Sequence, residues 1–69
     1  MEERNLTSKL IKITNRHEIY RCEARMYDER KGKFIGRKKV YYDVCQPNCG
    51  DIIESRTKLR EAVKFAQSL

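Results

Sequence analysis

The chain has 69 residues, with 16 lysines and arginines against 10 aspartates and glutamates, so its formal net charge is +6. A chain of this length forms one domain, and so small a core can hardly enclose a large active site. The net charge is local, because one window from 30 to 39 holds six basic residues and no acidic one: Arg30, Lys31, Lys33, Arg37, Lys38 and Lys39. The composition therefore indicates a basic binding surface rather than an enzyme.

The N-terminal residues, Met1 to Asn5, contain no apolar segment of the kind found in secretory signals. No run approaches the ~20 apolar residues that span a bilayer. We therefore expect a cytoplasmic protein without a membrane partner. The cysteines are odd in number, which fits free thiols in a reducing compartment better than a disulfide framework: Cys22, Cys45 and Cys49.

Three segments have the pattern of strands. Residues 8–14 are apolar and rich in isoleucine, and the Asn15-Arg16 pair after them fits a turn. Alternation of apolar and charged residues between Tyr20 and Met26, flanked by Ile19 and Tyr27, predicts a second strand from Glu18 to Tyr27. A third strand is predicted from Phe34 to Val44. Lys38 falls on its apolar side, which a bulge near Gly36 or a position at the sheet rim would explain.

A three-residue loop, Arg30-Lys31-Gly32, would join the second and third strands, with Gly32 in the left-handed conformation. The register that follows sets Tyr20 opposite Tyr42, Cys22 opposite Val40, Glu23 opposite Lys39 and Arg25 opposite Arg37. Two arginines facing each other are mildly destabilising by themselves. An anion bound between the two guanidinium groups of the last pair would offset this repulsion.

The rest of the chain predicts a loop and a helix. Residues 45–51 are rich in turn formers, and Ile52-Ile53 is either a brief fourth strand or an apolar lead-in to the helix. A helix from Ser55, its N-cap, to Leu69 would present one apolar stripe: Leu59, Ala62, Val63, Ala66 and Leu69.

The predicted fold is α+β, a three-stranded antiparallel sheet packed on one C-terminal helix (β-β-β-α). The helix is predicted to cover the sheet face that carries Tyr20, Cys22, Met26, Val40, Tyr42 and Val44.

The opposite sheet face is predicted to carry cations with aromatic residues between them. Lysine and arginine neutralise phosphates, arginine also reads guanine edges, and tyrosine stacks on bases. The candidate nucleic-acid-binding residues, including those of the loop, are Arg21, Arg25, Tyr27, Arg30, Lys31, Lys33, Arg37, Lys39 and Tyr41. A solvated face that protects the sheet from aggregation explains the same residues. Ile19, Ile35 and Tyr41 would instead suit a protein interface or a homodimer through the open sheet face.

Four residues are of the types that hold zinc: His17, Cys22, Cys45 and Cys49. A structural site needs a second close pair beside Cys45 and Cys49, and His17 and Cys22 lie on a predicted turn and a buried strand face. Cys22 is more simply a small core residue, and Cys45 and Cys49 are free loop thiols that could oxidise to a disulfide. His17 beside Glu18 has no nucleophile at a defined distance. We expect no metal, no cofactor and no enzymatic activity.

The order of elements resembles the AP2-type, arm-binding N-terminal domains of phage and transposon tyrosine recombinases. The resemblance covers about residues 18–69 and uses Tyr20-Arg21, Gly32-Lys33, the basic run 37–39, and a serine-led helix containing Glu61-Ala62. The tryptophan usual in that family is absent, and residues 45–49 depart from its compact strand–helix link. The resemblance implies a sheet in the DNA major groove, with phosphates held by the 30–33 turn and DNA contacts from Arg21, Arg25, Arg37 and Lys39. The C-terminal part is also similar to the tail of double-stranded RNA-binding domains, whose first helix is not evident in residues 1–17.

These observations predict a small module, of phage or mobile-element origin, that binds nucleic acid through the exposed face of the central hairpin, with DNA favoured over RNA. The alternative is a small protein-interaction or inhibitor module, of the host-takeover or anti-defence type. It would use the same basic face on an acidic partner.

Overall fold

The computed structural model describes residues 1–48 and 50–69 as four strands and one helix. The elements are β1 (Glu2–Thr14), β2 (His17–Asp28), β3 (Lys33–Cys45), β4 (Ile52–Arg56) and α1 (Leu59–Gln67). The strands form one antiparallel sheet in the order β1-β2-β3-β4. The predicted α+β class with a C-terminal helix is confirmed, but the prediction of three strands is wrong, because residues 52–56 pair with β3 as a fourth strand.

The three long strands make the molecule elongated. Each has 12 or 13 residues, which corresponds to about 40 Å at ~3.3 Å per residue, and the longest dimension of the protein is 43 Å. The nine residues of α1 span only about 14 Å. The helix therefore covers one end of the sheet, here called the base. The uncovered end, here called the distal half, comprises residues 2–7, 23–28 and 33–39. Within the described parts of the chain, no helix has the length and apolar character needed to cross a membrane.

The core lies at the base, between the sheet and α1. Four residues there are fully buried: Ile19, Val44, Ala62 and Ala66. Tyr42, Val63 and Phe65 pack around them. Ala62 and Ala66 are neighbours on one side of the helix, and their small side chains let the helix backbone approach the sheet. The predicted apolar stripe is thus confirmed at its centre, whereas Leu59 and Leu69 at its ends are exposed.

The β1–β2 turn is fastened to the end of the helix. Asn15 and Arg16 both have positive φ, 49° and 69°, so the predicted turn is confirmed. The side-chain amide of Asn15 donates hydrogen bonds to the carbonyl oxygens of Ala66 (3.4 Å) and Leu69 (2.5 Å). This turn therefore helps to hold α1 against the base.

The β2–β3 register differs from the predicted one. Asp28 pairs with Lys33, so the loop has four residues, 29–32, rather than three. Because side chains alternate between faces, one extra loop residue turns β3 over relative to β2. The two extra residues of the β3 bulge, described below, then move the register by two in the other direction. As a result Tyr20 pairs with Asp43 and not Tyr42, Cys22 with Tyr41 and not Val40, and Glu23 with Val40 and not Lys39.

The sheet has two chemically different faces as a result. The helix face, which α1 covers at the base, carries Ile19, Arg21, Glu23, Val40, Tyr42 and Val44. The open face carries Tyr20, Cys22, Ala24, Met26, Lys39, Tyr41 and Asp43. The predicted helix-covered face is therefore correct for β3 and wrong for β2, where Ile19 packs against the helix cluster instead of Tyr20, Cys22 and Met26.

The bulge considered near Gly36 is present. Ala24 pairs with Lys39 and Met26 with Ile35, so β3 has three residues where β2 has only Arg25. Gly36 has a φ of +76°, a left-handed conformation that glycine adopts without steric cost. The two extra residues leave the strand pairing on either side of the bulge in phase.

The helix begins later than predicted. Ser55 belongs to β4, and its hydroxyl donates a 2.6 Å hydrogen bond to Asp43 on β3. The residue before α1 is Lys58, which offers no side-chain cap. The prediction of Ser55 as the N-cap is wrong because this serine has a partner on the neighbouring strand.

Candidate nucleic-acid interface

The nine candidate residues do not share one face. The helix face carries three of them, all from β2: Arg21, Arg25 and Tyr27. Lys39 and Tyr41, from β3, lie on the open face. The remaining four lie in the loop, at the first position of β3 and in the bulge: Arg30, Lys31, Lys33 and Arg37. The predicted single basic face is therefore divided into three regions, because the register is shifted by one residue.

On the helix face, the candidate side chains contact other parts of the sheet. A guanidinium nitrogen of Arg21 lies 3.6 Å from the Glu23 carboxylate, and Arg25 Nε donates to the carbonyl oxygen of Gly36 at 2.8 Å. The Tyr27 ring meets Phe34 edge-on at 5.1 Å and lies 3.8 Å below the guanidinium of Arg4. The Arg25 guanidinium thus binds the backbone of the bulge, and Arg25 has no paired residue on β3, so the predicted Arg25–Arg37 pair is wrong.

On the open face, the two candidate residues are held by β1. Lys39 Nζ lies 3.7 Å from the Glu3 carboxylate and 5.8 Å from the centre of the Tyr41 ring. The Tyr41 hydroxyl donates to Asn5 at 2.8 Å. Burial raises the pKa of Tyr41, and the neighbouring Cys22 and Asp43 raise it further. These contacts leave Lys39 partly neutralised before any ligand arrives.

Five exposed cations remain at the end of the β2–β3 hairpin, and we call them the basic tip: Arg30, Lys31, Lys33, Arg37 and Lys38. Each lies in the loop, at the start of β3 or in the bulge. Of the salt bridges found between residues that the structure describes, none involves any of these five. The tip therefore carries positive charge that no carboxylate in close contact neutralises.

The loop that carries Arg30 and Lys31 is organised by Asp28. Its carboxylate accepts hydrogen bonds from the backbone N–H groups of Arg30 (3.0 Å) and Lys31 (3.3 Å). The loop closes with the N–H of Gly32, at a φ of +64°, donating to the Asp28 carbonyl oxygen at 2.8 Å. Asp28, two residues before the Arg30-Lys31 pair that precedes Gly32, marks a turn that sequence reasoning missed. It also missed Lys38, although that residue lies inside the basic window.

The open face contains a buried polar cluster near the base. Asp43 is 7 % exposed and accepts hydrogen bonds from Ser55 Oγ and from the Cys22 thiol at 3.5 Å. Burial raises the pKa of Cys22, and the Asp43 charge adds to the increase. Burial likewise raises the pKa of Cys45. These thiols are shielded from solvent and disfavoured as thiolates.

Two of the three cysteine predictions can be compared with the structure. Cys22 is buried, as expected of a core residue. The expectation of a loop thiol at Cys45 is wrong, because this residue ends β3 and is buried. Cys49 lies outside the described residues. Among residues 1–48 and 50–69, no three or more His, Cys, Asp or Glu side chains come together in a metal-binding arrangement.

An open-face cleft of ≈ 410 Å³ lies between the start of β1 and β4. Three pairs of its polar lining residues contact each other: Lys39 with Glu3, Asn5 with Tyr41, and Asp43 with Ser55. His17, the lone histidine, directs Nδ1 to the carbonyl oxygen of Asn15 at 2.8 Å.

Comparisons of this chain with models of protein families, with curated proteins and with solved structures found no match. The arguments about function therefore rest on the geometry and charge of the chain itself.

Proposed function

We propose that the protein binds nucleic acid, with duplex DNA favoured over RNA, through the basic tip of its β2–β3 hairpin. The observation that carries the proposal is a contrast between cations. Four cations of the sheet lie within 4 Å of carboxylates: Arg4, Arg21, Lys39 and Arg56. Other sheet cations, such as Lys9 and Lys12 of β1, form no salt bridge among the described residues but are not gathered at one end of the hairpin. The five of the tip are exposed without such a partner.

Unpaired cations favour a polyanion for a physical reason. Binding phosphates releases condensed counterions, and each neutralised phosphate adds to the salt dependence of affinity. A lysine that already contacts a glutamate gains less, since its first salt bridge must be weakened. The tip residues have no such cost, which makes them the better candidates for phosphate contacts.

The shape of the tip supports DNA over RNA. Glu2 of β1 pairs with Tyr27 and Asp28 pairs with Lys33, so the hairpin extends past β1 by one residue pair and the 29–32 loop. The major groove of B-form DNA admits a narrow hairpin end, whereas the major groove of A-form RNA is deep and narrow. Asp28 holds the loop in one shape, which reduces the entropy lost on binding.

This mode differs from the one that the recombinase-domain resemblance implies. There the sheet lies in the groove and residues equivalent to Arg21 and Lys39 contact DNA together. Here Arg21 and Lys39 lie on opposite faces, which favours entry by the tip. A phage or mobile-element origin rests on the resemblance alone.

The test compares two double variants with the same change in charge. Lys31→Glu/Lys33→Glu alters the tip, and Arg60→Glu/Lys64→Glu alters exposed positions of α1. Fluorescence anisotropy with a labelled DNA duplex at low salt should show at least a tenfold loss of affinity for the tip variant and a smaller loss for the helix variant. The wild-type affinity should fall on a log–log salt plot with a slope of up to about −4.5 if all five cations meet phosphates.

Absence of binding by the wild type at low salt would contradict the proposal, and so would equal losses in the two variants. An acidic protein partner, the alternative, would use the same cations. A complex that survives nuclease treatment and competes with duplex DNA for the tip would favour that alternative.

A further inference from the structure

The outer edge of β1 is long and exposed. This strand has 13 residues and, within the described chain, pairs only with β2. All of its residues except Thr14 are exposed, including four large apolar ones: Leu6, Leu10, Ile11 and Ile13. A strand edge of this kind offers unpaired backbone N–H and C=O groups to another strand.

The other edge of the sheet differs in length. β4 has only five residues, and α1 begins three positions after it. Short edge strands resist pairing with other chains, whereas a long one with exposed apolar residues does not. If the sheet extends in solution, β1 is the edge that extends it.

The charges of β1 select the partner and its direction. Its N-terminal end is acidic, with Glu2 and Glu3, and its C-terminal half is basic, with Lys9 and Lys12. A second copy in parallel and in register would place each charge beside its like. A second copy in antiparallel orientation brings the acidic end of each strand to the basic half of the other.

The two-fold symmetry restricts the register, because residues opposite each other in a continuous sheet point to the same face. The axis must therefore pass through one residue and not between two. An axis at Ser8 would set Arg4 opposite Lys12, which carry like charges. An axis at Thr7 sets Glu2 opposite Lys12 at both ends of the contact, and both residues lie on the helix face, opposite Tyr27 and Ile19 of β2. Thr7 also begins the regular run between the two bulges of β1.

We propose that β1 pairs antiparallel with β1 of a second copy, about a two-fold axis at Thr7. The pairing joins two four-stranded sheets into one continuous sheet and is isologous, as in most homodimers. Glu2 pairs with Tyr27 beside the basic tip, so the antiparallel arrangement places the two tips at opposite ends of the dimer.

The first test measures solution mass by sedimentation equilibrium across a concentration series. The wild type should show a reversible monomer–dimer equilibrium. Lys12→Glu and Glu2→Lys should each weaken the dimer about tenfold, because both symmetric contacts change from attraction to repulsion. Lys64→Glu makes the same charge change on the exposed side of α1 and should leave the dimer unchanged.

The second test restores the contact. Glu2→Lys mixed with Lys12→Glu should form a heterodimer, because each contact in the mixture again joins opposite charges. The Glu2–Arg4 salt bridge is exposed on both sides, so its loss should barely affect folding, and amide spectra of each variant check this. A wild type that stays monomeric overturns the proposal, and so does a dimer that the two substitutions do not weaken.

Lys31→Glu/Lys33→Glu should dimerise like the wild type, since neither residue lies on β1. Loss of the dimer in this tip variant would place the contact at the hairpin end instead and would also overturn the proposal. Because dimerisation is measured without nucleic acid, its outcome is independent of the DNA-binding result.

Discussion

The two ends of the hairpin are built from different interactions. At the base, Ile19 and Val44 are buried against Ala62 and Ala66. In the distal half, no helix covers the sheet, and strand pairing is supplemented by cross-strand contacts such as Arg4 over Tyr27. The base thus stabilises the fold, and the distal half presents charge. Substitutions at the two ends should therefore separate stability from binding.

The largest effect is expected from Ile19→Ala at the base. Removing a fully buried isoleucine costs about 2–5 kcal/mol, in a domain whose total stability at ~0.05–0.15 kcal/mol per residue is of similar size. Urea denaturation should show a chain that is unfolded or close to it. Met26→Ala in the distal half, where the side chain is 38 % exposed, should cost less than about 1 kcal/mol. Similar losses of unfolding free energy in the two variants would contradict the assignment of stability to the base.

A smaller loss is expected from Ser55→Ala, which tests the open-face side of the base. The Ser55 hydroxyl is a 2.6 Å donor to the buried Asp43 carboxylate, and hydrogen bonds to charged groups contribute about 1.5–3 kcal/mol. The control is Ser68→Ala, whose hydroxyl makes a bond of equal length to the Phe65 carbonyl oxygen at an exposed site. Urea midpoints should fall clearly for the first variant and little for the second. A larger fall for Ser68→Ala would show that Asp43 is not a stabilising centre.

The same contact explains one limit of sequence-based prediction. Alternation in residues 18–27 and helical spacing from 59 to 66 are local patterns, and both indicated the correct element. Ser55 has the local character of a helix N-cap, and only the distant Asp43 makes it a strand residue. The five residues of β4 are too few for an alternation to stand out, so β4 could not be separated from a lead-in to α1.

The predicted binding surface is wrong because the β2–β3 loop is one residue longer than predicted. Gly32 fits a three-residue and a four-residue loop equally well, because both need a positive φ. The Asp28 side chain decides between them by accepting two backbone hydrogen bonds. Since the side-chain period of a strand is two, that choice reversed every β3 position relative to β2. The position of the loop cations does not depend on the strand register, so their place at the end of the hairpin was predicted correctly.

Asp28→Ala tests this organisation of the tip. It should lower the free energy of unfolding by about 1 kcal/mol, comparable with the loss of a helix cap. Its amide signals at Arg30 and Lys31 should broaden in NMR spectra, since both N–H groups lose their acceptor. Asp28→Asn keeps a side-chain oxygen at the same place and should retain sharp signals and most of the stability. If Asp28→Asn loosens the loop as much as Asp28→Ala, the negative charge of Asp28, and not its hydrogen-bond geometry, holds the tip.

The smallest loss of stability is expected at alkaline pH, and it should come from buried thiols near the base. Burial raises the pKa of Cys22 and Cys45 above the ordinary thiol value of 9.0. In the unfolded chain these thiols ionise near that value, whereas in the folded chain they stay protonated. Their contribution to stability is therefore full below pH 9 and decreases as the pH rises through the folded pKa values. Urea midpoints at pH 7 and pH 10 should show this decrease.

Cys22→Ala should reduce the difference between the two pH values rather than abolish it. Cys45 still titrates in the variant, and burial also raises the pKa of Tyr20 and Tyr41, which lie on the same open face. Comparing the difference between pH values, not the absolute stability, separates ionisation from the packing lost with the thiol. An unchanged pH difference in Cys22→Ala would mean that the Cys22 thiol contributes nothing to the alkaline loss.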